Sequence, residues 1–194
     1  MNQDYRKAAE PLLSAFDQVA NSNSHLLTAT GLEGSLKERF ASFVKSEAFE
    51  AALCESDRLR DWHNFHTINV DGTWEPRPGH FYNGTPLEFE KALSGEELQH
   101  LLADLLKTGP CWYARRYPEE EVDSVVEGFA RAFWEKDTQV LPLKPTFLFD
   151  TNHFGENPPL TEEQVPYFDG MGCDYCWTWL RDDELFVLLL NGSD

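Results

Sequence analysis

Residues 185–190, Leu-Phe-Val-Leu-Leu-Leu, constrain this chain more than any other stretch. The run has the length of a strand. Because it is unbroken rather than alternating, it belongs to a strand covered on both faces and therefore inside a sheet. Asn191-Gly192 ends it, and the polar Arg181-Asp182-Asp183 precedes it. Before that turn, Tyr175, Trp177 and Trp179 alternate with Cys176, Thr178 and Leu180, the two-residue period of a strand. The chain is thus expected to close on a β-hairpin, 175–190, with the rest folded around it.

Upstream, helical spacing dominates. Leu12, Leu13, Phe16 and Val19 define a first helix, which Pro11 either starts or kinks. Ser35 and Glu38 form a capping-box pattern opening a second helix to about Cys54, with a further turn after Ser56-Asp57. Thr67–Val70, Asp71-Gly72 and Thr73–Glu75 read as a second hairpin, since Asp-Gly suits the positive φ angles of a tight turn. Residues 76–86, with three prolines and two glycines, read as a loop. Ser94 and Glu97 repeat the capping box ahead of Leu98, Leu101, Leu102 and Leu105. Pro118 opens a helix faced by Val122, Val125, Val126, Phe129, Ala132 and Phe133. Thr146–Phe149 reads as a strand, 152–159 as a loop and 161–164 as a short helix.

Helices early and strands later predict an α+β fold, with helices packed on one face of a small, mainly antiparallel sheet that ends in the C-terminal β-hairpin. At 194 residues a single domain over 1–194 is expected, helical over about 1–60 and mixed over about 61–194. With 13% aromatic residues the chain has ample surface to bury, which excludes a disordered protein. No run is long enough to span a membrane and no export signal is visible, so the expected location is the cytoplasm. There the four cysteines, Cys54, Cys111, Cys173 and Cys176, are expected to be reduced and structural.

Charge is the strongest functional signal. The net charge is −18, and residues 118–194 hold 17 acidic side chains against 4 basic ones. Such a field repels nucleic acid and anionic membranes and speeds encounter with a basic protein. Glu119, Glu120, Glu121, Asp123 and Glu127 crowd the start of one helix; dipole chemistry accounts for part of this cluster, but five acids exceed it. Asp169, Asp174, Asp182 and Asp183 extend the acidic surface, and Trp112, Tyr167 and Phe168, each beside a turn signal, are the aromatics expected to be exposed on it. Tyr175, Trp177 and Trp179 are expected in the core.

Catalytic signatures are sparse. His63 and His66, three apart, would share a helix face and could share a metal, with Asp61, Asp71 and His80 near enough in sequence to complete a shell; on a strand they would diverge. Cys173 and Cys176 have redox or zinc spacing, with His153 the one plausible added ligand, but they precede a strand where a redox pair needs a helix start. Neither Gly-x-Ser-x-Gly nor a phosphate-binding glycine loop occurs, and no cofactor is implied.

The cluster Glu119-Glu120-Glu121-Val122-Asp123 and the acidic turn of the Tyr175–Leu190 hairpin resemble, at the level of class, the cytosolic immunity proteins that bacteria pair with secreted toxins. The resemblance implies a non-catalytic acidic protein that inhibits one basic partner, such as a nuclease, whose nucleic-acid groove is basic. Two alternatives stand beside it: a metal-dependent hydrolase built on His63 and His66, and an acidic DNA mimic.

Overall fold

In the computed structural model, described for residues 3–20, 23–110, 115–148, 167–168 and 174–192, the apolar run lies inside a five-stranded sheet. The elements in order are α1 (Gln3–Ala20), β1 (His25–Ala29), α2 (Leu36–Val44), α3 (Glu47–Leu59), β2 (His66–Ile68), β3 (Trp74–Pro76), β4 (Leu93–Ser94), α4 (Gly95–Thr108), α5 (Glu119–Phe133), β5 (Gln139–Leu143), β6 (Tyr175–Arg181) and β7 (Glu184–Leu190). The sheet order is β1-β7-β6-β5-β4, antiparallel throughout, and β2 pairs with β3 in a separate ribbon.

The α+β class and the C-terminal hairpin agree with the sequence. Asp182 and Asp183 form its two-residue turn, both at positive φ (48° and 64°), the left-handed geometry that matches a hairpin's twist. The helices do not keep to one face. Leu26, Val140, Trp177, Trp179, Phe186 and Leu188 point into a core with α1, α4 and α5; Leu27, Leu143, Cys176, Leu185, Val187 and Leu189 point into another with α2 and α3. Both faces of β7 are therefore covered, as its unbroken apolar run requires. The amphipathic α2 and α3 bury Phe40, Phe43, Phe49 and Leu53 in that second core.

Trp177 and Trp179 of β6 lie in the core, as expected, and Tyr175 is half-buried against it. Trp179 is fully buried and stacks on Phe186 across the strands, with centroids 5.5 Å apart and planes at 7°. Trp177 stacks on Tyr175, two residues before it on the same strand, at 5.2 Å and 5°.

Three local expectations are corrected. The second helix is two, broken at Ser46, whose hydroxyl and N–H both bond to the Phe43 carbonyl (2.6 and 3.0 Å). The break turns Ala48 and Ala51 to solvent and brings Phe49 edge-to-face with Phe43 at 5.3 Å. The strand expected at Thr146–Phe149 is a short 3-10 turn, Pro145–Leu148, and the pairing strand is β5, disguised in the sequence by Pro142. β1 was not foreseen; its first residues are buried on both faces, which removes the alternation that marks a strand. The expected loop 152–159 and helix 161–164 lie outside the described residues.

Candidate functional site

Helix α5 is amphipathic because Val122, Val126, Phe129 and Phe133 recur every three or four residues and bury in the core with α1 and α4, Phe129 and Phe133 reaching Trp179 of the sheet. The same periodicity turns Glu119, Glu120, Glu121, Asp123 and Glu127 outward, and all five are exposed. Helix α4 runs antiparallel beside it: its N-terminal Gly95 packs on Trp134, and its Lys107 reaches Asp123 at 3.1 Å. A Cβ on Gly95 would lie 3.1 Å from that of Trp134, so the close approach of the two helices favours glycine there. Glu96, Glu97 and Asp104 of α4 are exposed on the same layer. Among the described residues, Lys107 is the only cation paired with the five acids of α5.

The hairpin turn is a different case. Asp182 and Asp183 are exposed, but Arg39 holds Asp183 at 2.5 Å and Arg181 lies 3.5 Å from Asp182. Local cations offset much of that charge. Asp174 is half-buried rather than displayed. Asp169 and Trp112 lie outside the described residues, as do Cys111, Cys173 and His153.

Tyr167 and Phe168 are corrected outright: they are 6% and 1% exposed. Tyr167 lies against His25 and Phe65, its hydroxyl donates to the Asn23 carbonyl, and its own carbonyl accepts from the Asn191 side chain. The neighbouring turn signal suggested exposure, but the Tyr167 ring packs between His25 of β1 and Phe65, and Phe168 packs against Phe147.

The second constellation centres on a residue the sequence reading did not single out. Asp57 is fully buried on the core-facing stripe of α3, with Phe49, Leu53 and Cys54. It accepts from the Phe65 N–H at 2.9 Å, from His66 Nδ1 at 2.8 Å and from the Asn64 side chain at 3.1 Å. One carboxylate thus anchors the turn that leads into β2. The signal was legible: an acid on an apolar helical stripe needs partners to be buried.

His66 is 1% exposed and His63 is exposed. They lie on neither a shared helix nor one strand, because β2 begins only at His66 and the preceding turn directs His63 back toward it. Their rings converge, with His63 Nδ1 3.4 Å from His66 Nε2. The expected completing residues do not join them: His80 pairs with Glu50 at 3.2 Å and Asp71 accepts from Thr73 at the hairpin tip. Asp61 is exposed in a left-handed turn, φ 60°. Among the described residues no group of three His, Cys, Asp or Glu is placed to hold a metal.

Behind Asp57 the polar belt continues. His25 Nδ1 meets Ser56 Oγ at 2.8 Å; burial pushes its pKa down to about 3, the Arg60 charge working the same way and Asp57 against it. The Arg60 side chain, 6% exposed, bonds Glu10 at 2.8 Å and pairs with Asp17, whose pKa burial raises in spite of that cation. The Cys54 thiol donates to the Phe65 carbonyl at 3.2 Å, and burial pushes its pKa up to about 11. Burial raises that of Cys176 as well. Both thiols are free, and neither has the electropositive, accessible setting of a nucleophile.

Comparison with protein-family models, curated proteins and solved structures returns no significant match. Among the described residues no helix is long and apolar enough to cross a membrane.

Proposed function

We propose that this chain is a protein-binding module that engages a basic protein partner through the outward face of α4 and α5 and inhibits it, as an immunity protein neutralises a toxin. The observation that supports this reading is the unbalanced charge of α5: five exposed acids meet one lysine. The hairpin turn, with its own arginines, has a secondary role. Tyr167 and Phe168 are buried, so among the described residues neither serves the patch as an aromatic anchor of a hydrophobic hot spot. Recognition is then mainly electrostatic, with fast, salt-sensitive association.

The test is affinity capture from the native cell at low and moderate salt, with the wild type, a Glu119→Lys/Glu120→Lys/Glu127→Lys variant and an Asp182→Asn/Asp183→Asn variant. The expected result is one stoichiometric basic protein, held by the wild type and the turn variant and lost by the α5 variant. The captured protein's own activity should fall on adding wild type and recover with the α5 variant. A partner held equally by all three removes the α5 face from the interface. A partner whose activity is unchanged removes inhibition.

A further inference from the structure

The converging histidines support a second, independent site. We propose that His63 and His66 form a two-imidazole binding site for a borderline divalent metal ion, zinc above all, at the base of the β2–β3 hairpin. Water fills the remaining coordination positions.

His63 Nδ1 lies 3.4 Å from His66 Nε2. At 3.4 Å the pair is within reach of a long, weak hydrogen bond, beyond the roughly 2.7–3.2 Å of a well-formed N–H···O bond. Two imidazoles bound at about 2.0–2.1 Å with a tetrahedral angle at the metal hold their nitrogens about 3.4 Å apart. The spacing therefore fits a shared ion as well as a shared proton. Tetrahedral geometry with nitrogen donors favours zinc, and nitrogen ligands disfavour calcium and magnesium.

The surroundings of His66 have the form of a metal site's outer shell. A carboxylate only accepts, so Asp57 at 2.8 Å places a proton on Nδ1 of His66. In the neutral ring that leaves the Nε2 lone pair directed at His63. A carboxylate behind a ligating imidazole fixes its orientation and raises its basicity. The backbone is held as well: Asp57 binds the Phe65 N–H, and Arg77 donates to the carbonyls of Phe65 (2.8 Å) and His63 (2.7 Å). Trp74 meets the His66 ring edge-on at 6.0 Å, and the exposed His63 leaves the site open to solvent. The nearby Arg58 guanidinium is held by both oxygens of Glu55 (2.9 and 2.8 Å), which offsets its charge.

The experiment is calorimetric zinc titration of the tag-free full chain near neutral pH, repeated with His63→Ala and His80→Ala. His63 is exposed, so its removal leaves the core intact, and thermal melts verify this. The expected result is one equivalent of zinc bound by wild type and His80→Ala, with affinity about tenfold or more lower in His63→Ala. Copper(II), added in place of zinc, should quench Trp74 fluorescence in wild type and not in His63→Ala. Zinc binding unchanged in His63→Ala overturns the proposal, and so does a wild type that binds no zinc. Asp57→Asn, where it folds, should weaken binding about 10–100-fold with both ligands still present.

Discussion

Asp57→Ala tests the buried cluster most directly. The carboxylate accepts three hydrogen bonds, two from the backbone N–H of Phe65 and the ring of His66, both buried. Truncation leaves those two donors without an acceptor, at about 1–3 kcal/mol each. Against this stands the desolvation of the carboxylate itself, which the mutation relieves. The loss of the acceptor outweighs that relief, and stability falls by up to about 2–6 kcal/mol for the two donors together. Asp57→Asn keeps one acceptor oxygen but aims a donor at donors, so its cost should fall below that of alanine. Urea unfolding reads both, with the midpoint shifting at constant slope if the damage stays local. Hydrogen exchange at the Phe65 amide should lose protection in step. An Asp57→Ala protein within about 1 kcal/mol of wild type, with Phe65 still protected, would refute the view that this carboxylate organises the segment.

The remaining predictions concern the core, a cap, the acidic face and acid stability. Trp177→Ala should destabilise by about 3–5 kcal/mol, because the ring is 2% exposed and stacked; a stable variant would move that face to the surface. Ser94→Ala removes a capping box with both bonds formed (2.7 and 3.1 Å), at about 1 kcal/mol in denaturant unfolding. Reversing Glu119 and Glu120 loses helix-dipole interactions of about 0.3–1 kcal/mol each at the first turn, and reversing Asp123 breaks an exposed pair with Lys107 worth about 0–1 kcal/mol, so the chain stays folded by circular dichroism. Association with the partner should nevertheless slow and lose salt dependence. His25, held neutral down to about 3, refuses a proton that the unfolded chain accepts near its ordinary value of 6.5. Stability therefore falls with acidification from about pH 6.5 toward 3, by at most about 1.4 kcal/mol per pH unit for this group. His25→Gln should flatten that slope, and parallel slopes in the two proteins would exclude the ring as its source. Asp17, whose pKa burial raises, contributes with the opposite sign and is common to both.

Much of the architecture was legible because it follows from local patterns. The apolar run of β7, the alternation of β6, the two capping boxes and the stripe of α5 each specify an element within a dozen residues, and all are present. The charge of α5 was equally legible, since a helix that buries Val122, Val126 and Phe129 must turn Glu120, Asp123 and Glu127 outward. Elements whose local signal was masked by their surroundings were harder to see: β1, buried on both faces, and β5, with a proline inside it.

Only the tertiary structure decided which polar residues meet. Tyr167 looked exposed beside its turn, but it lies against His25, 142 positions earlier, because β1 pairs with the last strand. His63 and His66 converge through a turn whose shape Asp57, on another element, imposes. A sequence carries the periodicity of each element in its own residues, and burial of one face follows from it. The contact between two side chains depends on how those elements pack, a property of the whole chain that no single stretch contains.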